Sequence, residues 1–222
     1  MVSQVRARSE QAKEARRAEI LEQTRVLWAQ ARYEDLTLQA VAQRVGLTKA
    51  ALYGYFPTKE SLFLSLYETL LVRFLDELQR HLRLGGRHTP DSLSALMVTL
   101  LGEHADLTRL IPHLASLLER NISEARAHDH KHWVLARLGP VSTSLEAALP
   151  GLPSGGGVGL LTYTQALVAG LYPMSDPAPA VGAALQDPAL SALCVRLDTA
   201  LPTALRALYT GLSITGPGTA GT

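Results

Sequence analysis

The sequence predicts an all-α protein, with an N-terminal three-helix head carrying a helix-turn-helix and a larger helical body behind it. Three observations carry this. Apolar residues recur three and four positions apart over most of the 222 residues, the spacing of one helix face. No stretch alternates apolar and polar residues as a half-buried strand does. Pro, Gly and Thr stand where one periodic run ends and the next begins.

Residues 12–32 set Ile20, Leu21, Thr24, Leu27, Trp28 and Ala31 on one stripe. The basic stretch from Val5 to Arg17 reads as a frayed arm. Thr37 caps a second helix, because its hydroxyl accepts an orphan backbone N–H. Leu38, Val41, Ala42 and Val45 form that helix's buried face, and Gly46 ends it where the chain must turn left-handed. Thr48 caps a third, short helix to about Tyr55. Pro57-Thr58 break and recap the chain, and a fourth helix runs from Lys59 to Arg83 with Leu62, Phe63, Leu66, Leu70, Phe74 and Leu78 on one side.

"RLGGRHTPD" (83–91) is a loop whose Thr89-Pro90-Asp91 starts another helix. Val134, Leu138, Val141, Leu145 and Ala148 mark one long helix, expected to kink at Gly139-Pro140. "LPGLPSGGG" (149–157) breaks the chain before a helix at 158–172 rich in small residues. "YPMSDPAPAVG" (172–182) reads as a loop. A last helix is expected at 188–212, with Pro202 inside it, and residues 214–222 as a disordered tail.

Charge is distributed unevenly. Residues 1–60 hold ten Lys/Arg against seven Asp/Glu, whereas the rest hold eleven against thirteen. A basic head on a near-neutral body suits a polyanionic partner. The head's motif has the matching chemistry. Two short helices joined by a glycine turn allow the second to enter a major groove roughly 12 Å wide while the first crosses the backbone. In the second helix Thr48 and Lys49 can meet phosphate or base edges. Ala50 and Ala51 are small enough for close approach, and either methyl can meet a thymine methyl. Tyr53 and Tyr55 can donate phenolic O–H bonds to phosphates. Lys59 and Thr37, at the starts of neighbouring helices, can hold phosphates as well.

With these residues in place, "TLQAVAQRVGLTKAALYGYFPTKESLF", preceded by "LWAQARYEDLT", resembles the DNA-binding head of the TetR family of transcriptional regulators. The family pattern is an amphipathic first helix, a capping Thr or Ser, an alanine-containing second helix, a Gly turn, a Ser/Thr-Lys pair, "LYxxF" and Pro-x-Lys-Glu. Every part is present over about fifty residues. Gly54 departs from the bulkier or polar residue usual there. The resemblance implies DNA contacts at Thr37, Thr48, Lys49, Tyr53, Tyr55 and Lys59, and the small side chain of Ala50 adds that position to the set.

It also implies a division into a DNA-binding domain with a basic arm (1–62), a regulatory and dimerisation domain (63–213) and the tail. A homodimer through the helices at 158–172 and 188–212 would read a palindromic double-stranded DNA operator. The second carries Leu190, Leu193, Leu197, Leu201, Leu205 and Leu208. The middle helices would enclose a pocket for a small-molecule effector, with Met97, His104, Trp133, Tyr163 and Tyr172 as candidates. The function so implied is a ligand-responsive regulator, most simply a repressor released by its effector.

Other readings find less support. "HDHKHW" (128–133) puts His128 and His132 on one helix face, but a structural metal site needs about four convergent ligands and no second cluster matches. It reads as a solvated helix start, and no metal or cofactor is expected. A helical sensor of small molecules or metal without DNA binding is the alternative. No Gly-rich phosphate loop and no Gly-x-Ser-x-Gly occur, so no enzyme is expected. The lone Cys194 reads as packing on an apolar stripe and suits a reducing compartment. "GVGLLTYTQALVAGLYP" is interrupted by Thr162, Thr164 and Gln165, so no membrane span is expected and a cytoplasmic protein is.

Overall fold

The computed structural model describes the backbone of residues 2–214 and the side chains of residues 10–214, and every element among them is helical. α1 spans Val2–Trp28. It is helical well before residue 12, where a frayed arm was expected, because Ala, Arg, Gln and Glu are good helix formers. It also ends short of residue 32. Arg109 from the body donates to the carbonyls of Trp28 and Ala31 at 3.0 and 3.2 Å, closing the helix end.

α2 (Leu38–Arg44) and α3 (Lys49–Tyr53) complete the head, capped by Thr37 and Thr48 as the sequence predicts. Each hydroxyl oxygen accepts a backbone N–H three residues on, at 3.1 Å. Gly46 has φ +67°, and the next N–H, that of Leu47, reaches back to the Ala42 carbonyl at 2.9 Å. α3 is shorter than expected. Gly54 caps it, and Tyr55 lies beyond its end.

α4 (Lys59–Gly85) starts from a reciprocal cap. Thr58 Oγ1 accepts from the Ser61 N–H at 3.0 Å and Ser61 Oγ from the Thr58 N–H at 3.1 Å. It runs from the head deep into the body and packs on α1, α5, α6 and α7. α5 is Pro90–Glu103 and α6 Ala105–His113, continued by a π-helical turn at Leu114–Leu118. α7 (Glu124–Ala148) is one helix through Gly139-Pro140. α8 (Gly156–Ser175) lies against α6, α7 and the last helix. The buried side chains form one cluster from Ile20 to Tyr209, so head and body share a core.

The C-terminal part differs from expectation. The 172–182 loop contains the end of α8 and most of α9 (Pro179–Ala184). The 188–212 helix is two elements, a 3₁₀ turn at Pro188–Leu193 and α10 at Leu197–Ile214. Leucine spacing does not distinguish one helix from two segments that share a face. Cys194 falls in the break and is exposed rather than packed. Leu201 and Leu205 are buried within the subunit, whereas Leu193 is 65% exposed. The expected tail lies outside the described residues, except Ile214.

Candidate nucleic-acid interface

α3 has five residues, and of these only Leu52 is buried. With Phe56 it ties the helix to the head core. The other faces are open: Thr48, Lys49, Ala50, Ala51 and Tyr53 are all exposed. Lys49 Nζ lies 5.7 Å from the Tyr53 ring centroid, so the cation and the phenol share one face. Among the described residues, neither the Lys49 ammonium nor the Tyr53 hydroxyl makes a hydrogen bond. Thr37 and Thr48 each use an oxygen lone pair for capping, which leaves both hydroxyl protons free to donate outward.

Two expected contacts are placed differently. Tyr55 is half-buried against the core. Lys59 donates to the Tyr33 carbonyl, with its Nζ 3.9 Å from the centre of the Tyr33 ring. Burial lowers its pKa, against the opposing pull of Glu34, Glu60 and Asp35. Its ammonium thus has a partner within the protein, with two N–H donors left for a phosphate.

The body holds a cavity of about 290 Å³ between α4, α5, α6, α7 and α8. Its walls are apolar: Phe74, Met97, Leu101, Leu107, Ile111 and Val168 among others. Polar atoms gather at one corner. Tyr67 donates its phenolic O–H to Gln165 Oε1 at 3.2 Å, and the His130 ring lies 6.2 Å from the Tyr67 ring. His130 is 1% exposed. Its Nδ1 is 2.8 Å from Glu68 Oε1, while Arg126 donates to Glu68 Oε2 at 2.7 Å. Burial alone would raise the Glu68 pKa, but the hydrogen bonds from His130 and Arg126 outweigh it and hold the carboxyl below its usual range.

Two family models match the chain. Residues 20–66 match the bacterial regulatory proteins of the tetR family, and residues 68–216 match the tetracyclin repressor-like C-terminal domain. The second match alone covers more than half of the chain. The chain belongs to the TetR family. It is a transcriptional regulator whose DNA-binding head is a helix-turn-helix. No curated protein matches it. No helix among the described residues is long and apolar enough to cross a membrane.

Within this TetR body the candidate pocket residues scatter. Met97 is a buried wall of the cavity. His104 lies outside it, bonded to Glu77 Oε2 at 2.9 Å and edge-on to Phe74. Trp133 lines a different cleft, with Glu14, Arg17 and Arg73. Tyr163 is 51% exposed. Tyr172 lines the junction between head and body, beside Trp28, Arg109 and His113. Periodicity reports that a position is buried, not which cavity it faces. His130, Tyr67 and Gln165 gave no signal as a set, because they lie on three helices.

The histidine run divides as well. His128 and His132 are exposed, with ring centroids 4.3 Å apart, while His130 turns inward to Glu68. The solvated helix start expected there holds for two of the three.

Proposed function

We propose that this TetR protein is a ligand-responsive repressor that binds a palindromic operator as a homodimer through α3 and leaves it when a small molecule fills the body cavity. One observation carries this reading most directly. A five-residue helix has Leu52 as its one buried residue and presents Thr48, Lys49, Ala50 and Tyr53 to solvent. Apart from the Thr48 cap, such a face has no role in the fold, and its residue types suit phosphates and thymine methyls.

A single short helix reads few base pairs, since each good bidentate contact is worth about 1–3 kcal/mol. Pairing two copies about a two-fold axis doubles the footprint. Tyr163 and Met174 on α8 and Leu193 beside α10 leave exposed apolar surface for that pairing. The bond that ties one of the three Lys59 donors to the Tyr33 carbonyl is what favours the competing reading of a sensor without DNA binding.

The test is selection of bound genomic fragments, followed by fluorescence anisotropy on the recovered sequence with wild type, Lys49→Ala and Tyr53→Ala. Recovery of a palindrome that both variants bind more weakly supports the proposal. Equal affinity for wild type and both variants, or no fragment retained, overturns it in favour of the sensor.

A further inference from the structure

The polar atoms at the cavity corner are not equally available. Thr164 Oγ1 donates to the Leu160 carbonyl at 2.7 Å, so the 2.9 Å contact with Tyr209 must be the phenol donating to Thr164. That pair is satisfied. Tyr67 spends its proton on Gln165 Oε1. Two groups then remain among the described residues. The Gln165 side-chain amide nitrogen has two N–H donors with no acceptor. His130 Nε2 is buried without a hydrogen bond, and Glu119 Oε1, at 3.6 Å, is too far to make one.

The roles follow from charge. An ionised Glu68 only accepts, so His130 Nδ1 carries a proton, and a hydroxyl can meet Nε2 in either ring state because it both donates and accepts. The corner therefore offers donors from Gln165 and the unpaired Nε2 of His130, both beside Tyr67. No unpaired charge borders it. Glu68 is paired with Arg126 at 2.7 Å and Glu119 with Lys131 at 2.6 Å. A carboxylate or ammonium entering this corner would lose its hydration and find no free counter-ion. A neutral hydroxyl both donates and accepts, which matches what the two groups lack.

Three of the lining residues are exposed: Lys131 and Leu135 on α7 and Thr162 on α8. They mark the mouth of the cavity, between these two helices. The other walls are buried or half-buried.

We infer that the effector is an uncharged amphiphile, an aliphatic or aromatic body with a terminal hydroxyl, entering between α7 and α8 and hydrogen-bonded by Gln165 and His130. The inference rests on the body cavity being the effector site. Calorimetry without DNA tests it separately from operator release.

The probes are n-octanol, octanoate and octylammonium, which share one chain and differ in the head. Titration of the full-length protein is expected to show octanol binding on the order of tenfold more tightly than either ion. Gln165→Leu removes the donors and is expected to weaken octanol by about tenfold. Thr162→Trp, at an exposed position, is expected to block the mouth and weaken octanol as well. Octanoate or octylammonium binding as tightly as octanol overturns the inference. So does an unchanged octanol affinity in both variants, or a wild-type protein that binds none of the three.

Discussion

Arg109 of α6 lies over the Trp28 indole at the end of α1, 4.5 Å from guanidinium carbon to ring centroid. Its two terminal nitrogens donate to the carbonyls of Trp28 and Ala31, and the Trp28 indole N–H donates back to the Asp106 carbonyl at 2.9 Å. Asp106 in turn pairs with Arg25 at 2.8 Å. The first helix of the head is thus held by α6, and α6 also contributes Leu107 and Ile111 to the cavity wall. One element touches both the body cavity and the DNA-binding head.

Arg109→Ala is expected to lower stability by about 1–3 kcal/mol, because two charge-assisted bonds and a stacked ring contact are lost from the α1 end. Urea unfolding measures this. Arg109→Lys is expected to recover only part of the loss, since an ammonium has no planar fork to reach two carbonyls while stacking.

Lys49→Ala and Tyr53→Ala alter exposed residues outside the core cluster, so unfolding free energies are expected within about 0.5 kcal/mol of wild type. Operator affinity is expected to fall by about tenfold in each. For Lys49→Ala the slope of log affinity against log salt is expected to flatten by about 0.9, the value for one phosphate contact. Anisotropy titrations at several salt concentrations separate a phosphate contact from a base contact.

Gly151 joins α7 to α8 at φ +89°, and a Cβ there would come within 2.2 Å of the Ser213 carbonyl oxygen. Gly151→Ala is expected to lose about 2–3 kcal/mol from strain and displacement of the α10 end. Gly155, at φ +79°, faces open space. Gly155→Ala is expected to lose only about 1 kcal/mol, the backbone part alone. At about 2–4 °C per kcal/mol for a chain of this length, the two variants separate in a melting experiment.

His113 stacks on Tyr33 at 5.3 Å and meets Trp28 edge-on at 5.8 Å. Burial pulls its pKa down, against Glu34, while Arg109 and Lys59 add to the depression. A folded pKa below the unfolded one means that the unfolded chain takes up the proton first. This contribution is therefore complete above about pH 6.5 and is lost as the pH falls through the lower folded value. His113→Phe is expected to flatten the melting temperature profile just below that point. The loss tied to Glu68, also held low, begins only below about pH 4.3 and is expected to persist in the variant.

The sequence by itself determined the helical class, the two threonine caps and the glycine turn, because each is set by residues a few positions apart. Thr37, Gly46 and Thr48 act on backbone groups within about one turn of themselves, so their signal is local. The exposed set on α3 was legible for the same reason. A five-residue helix with one buried leucine leaves little choice of face.

Tertiary structure decided the rest. Lys59 is engaged because Tyr33, 26 positions earlier, brings its carbonyl alongside. The residues 149–157, read only as a break, are held by Glu146, whose carboxylate accepts from Ser142 Oγ and from the N–H groups of Gly155 and Gly157. His130 reaches Glu68 across 62 positions, and Gln165 reaches Tyr67 across 98. Periodicity in one helix fixes which face is buried. Only the packing of α4, α7 and α8 against one another decides whether that face meets a neighbour or lines a space that a ligand can fill.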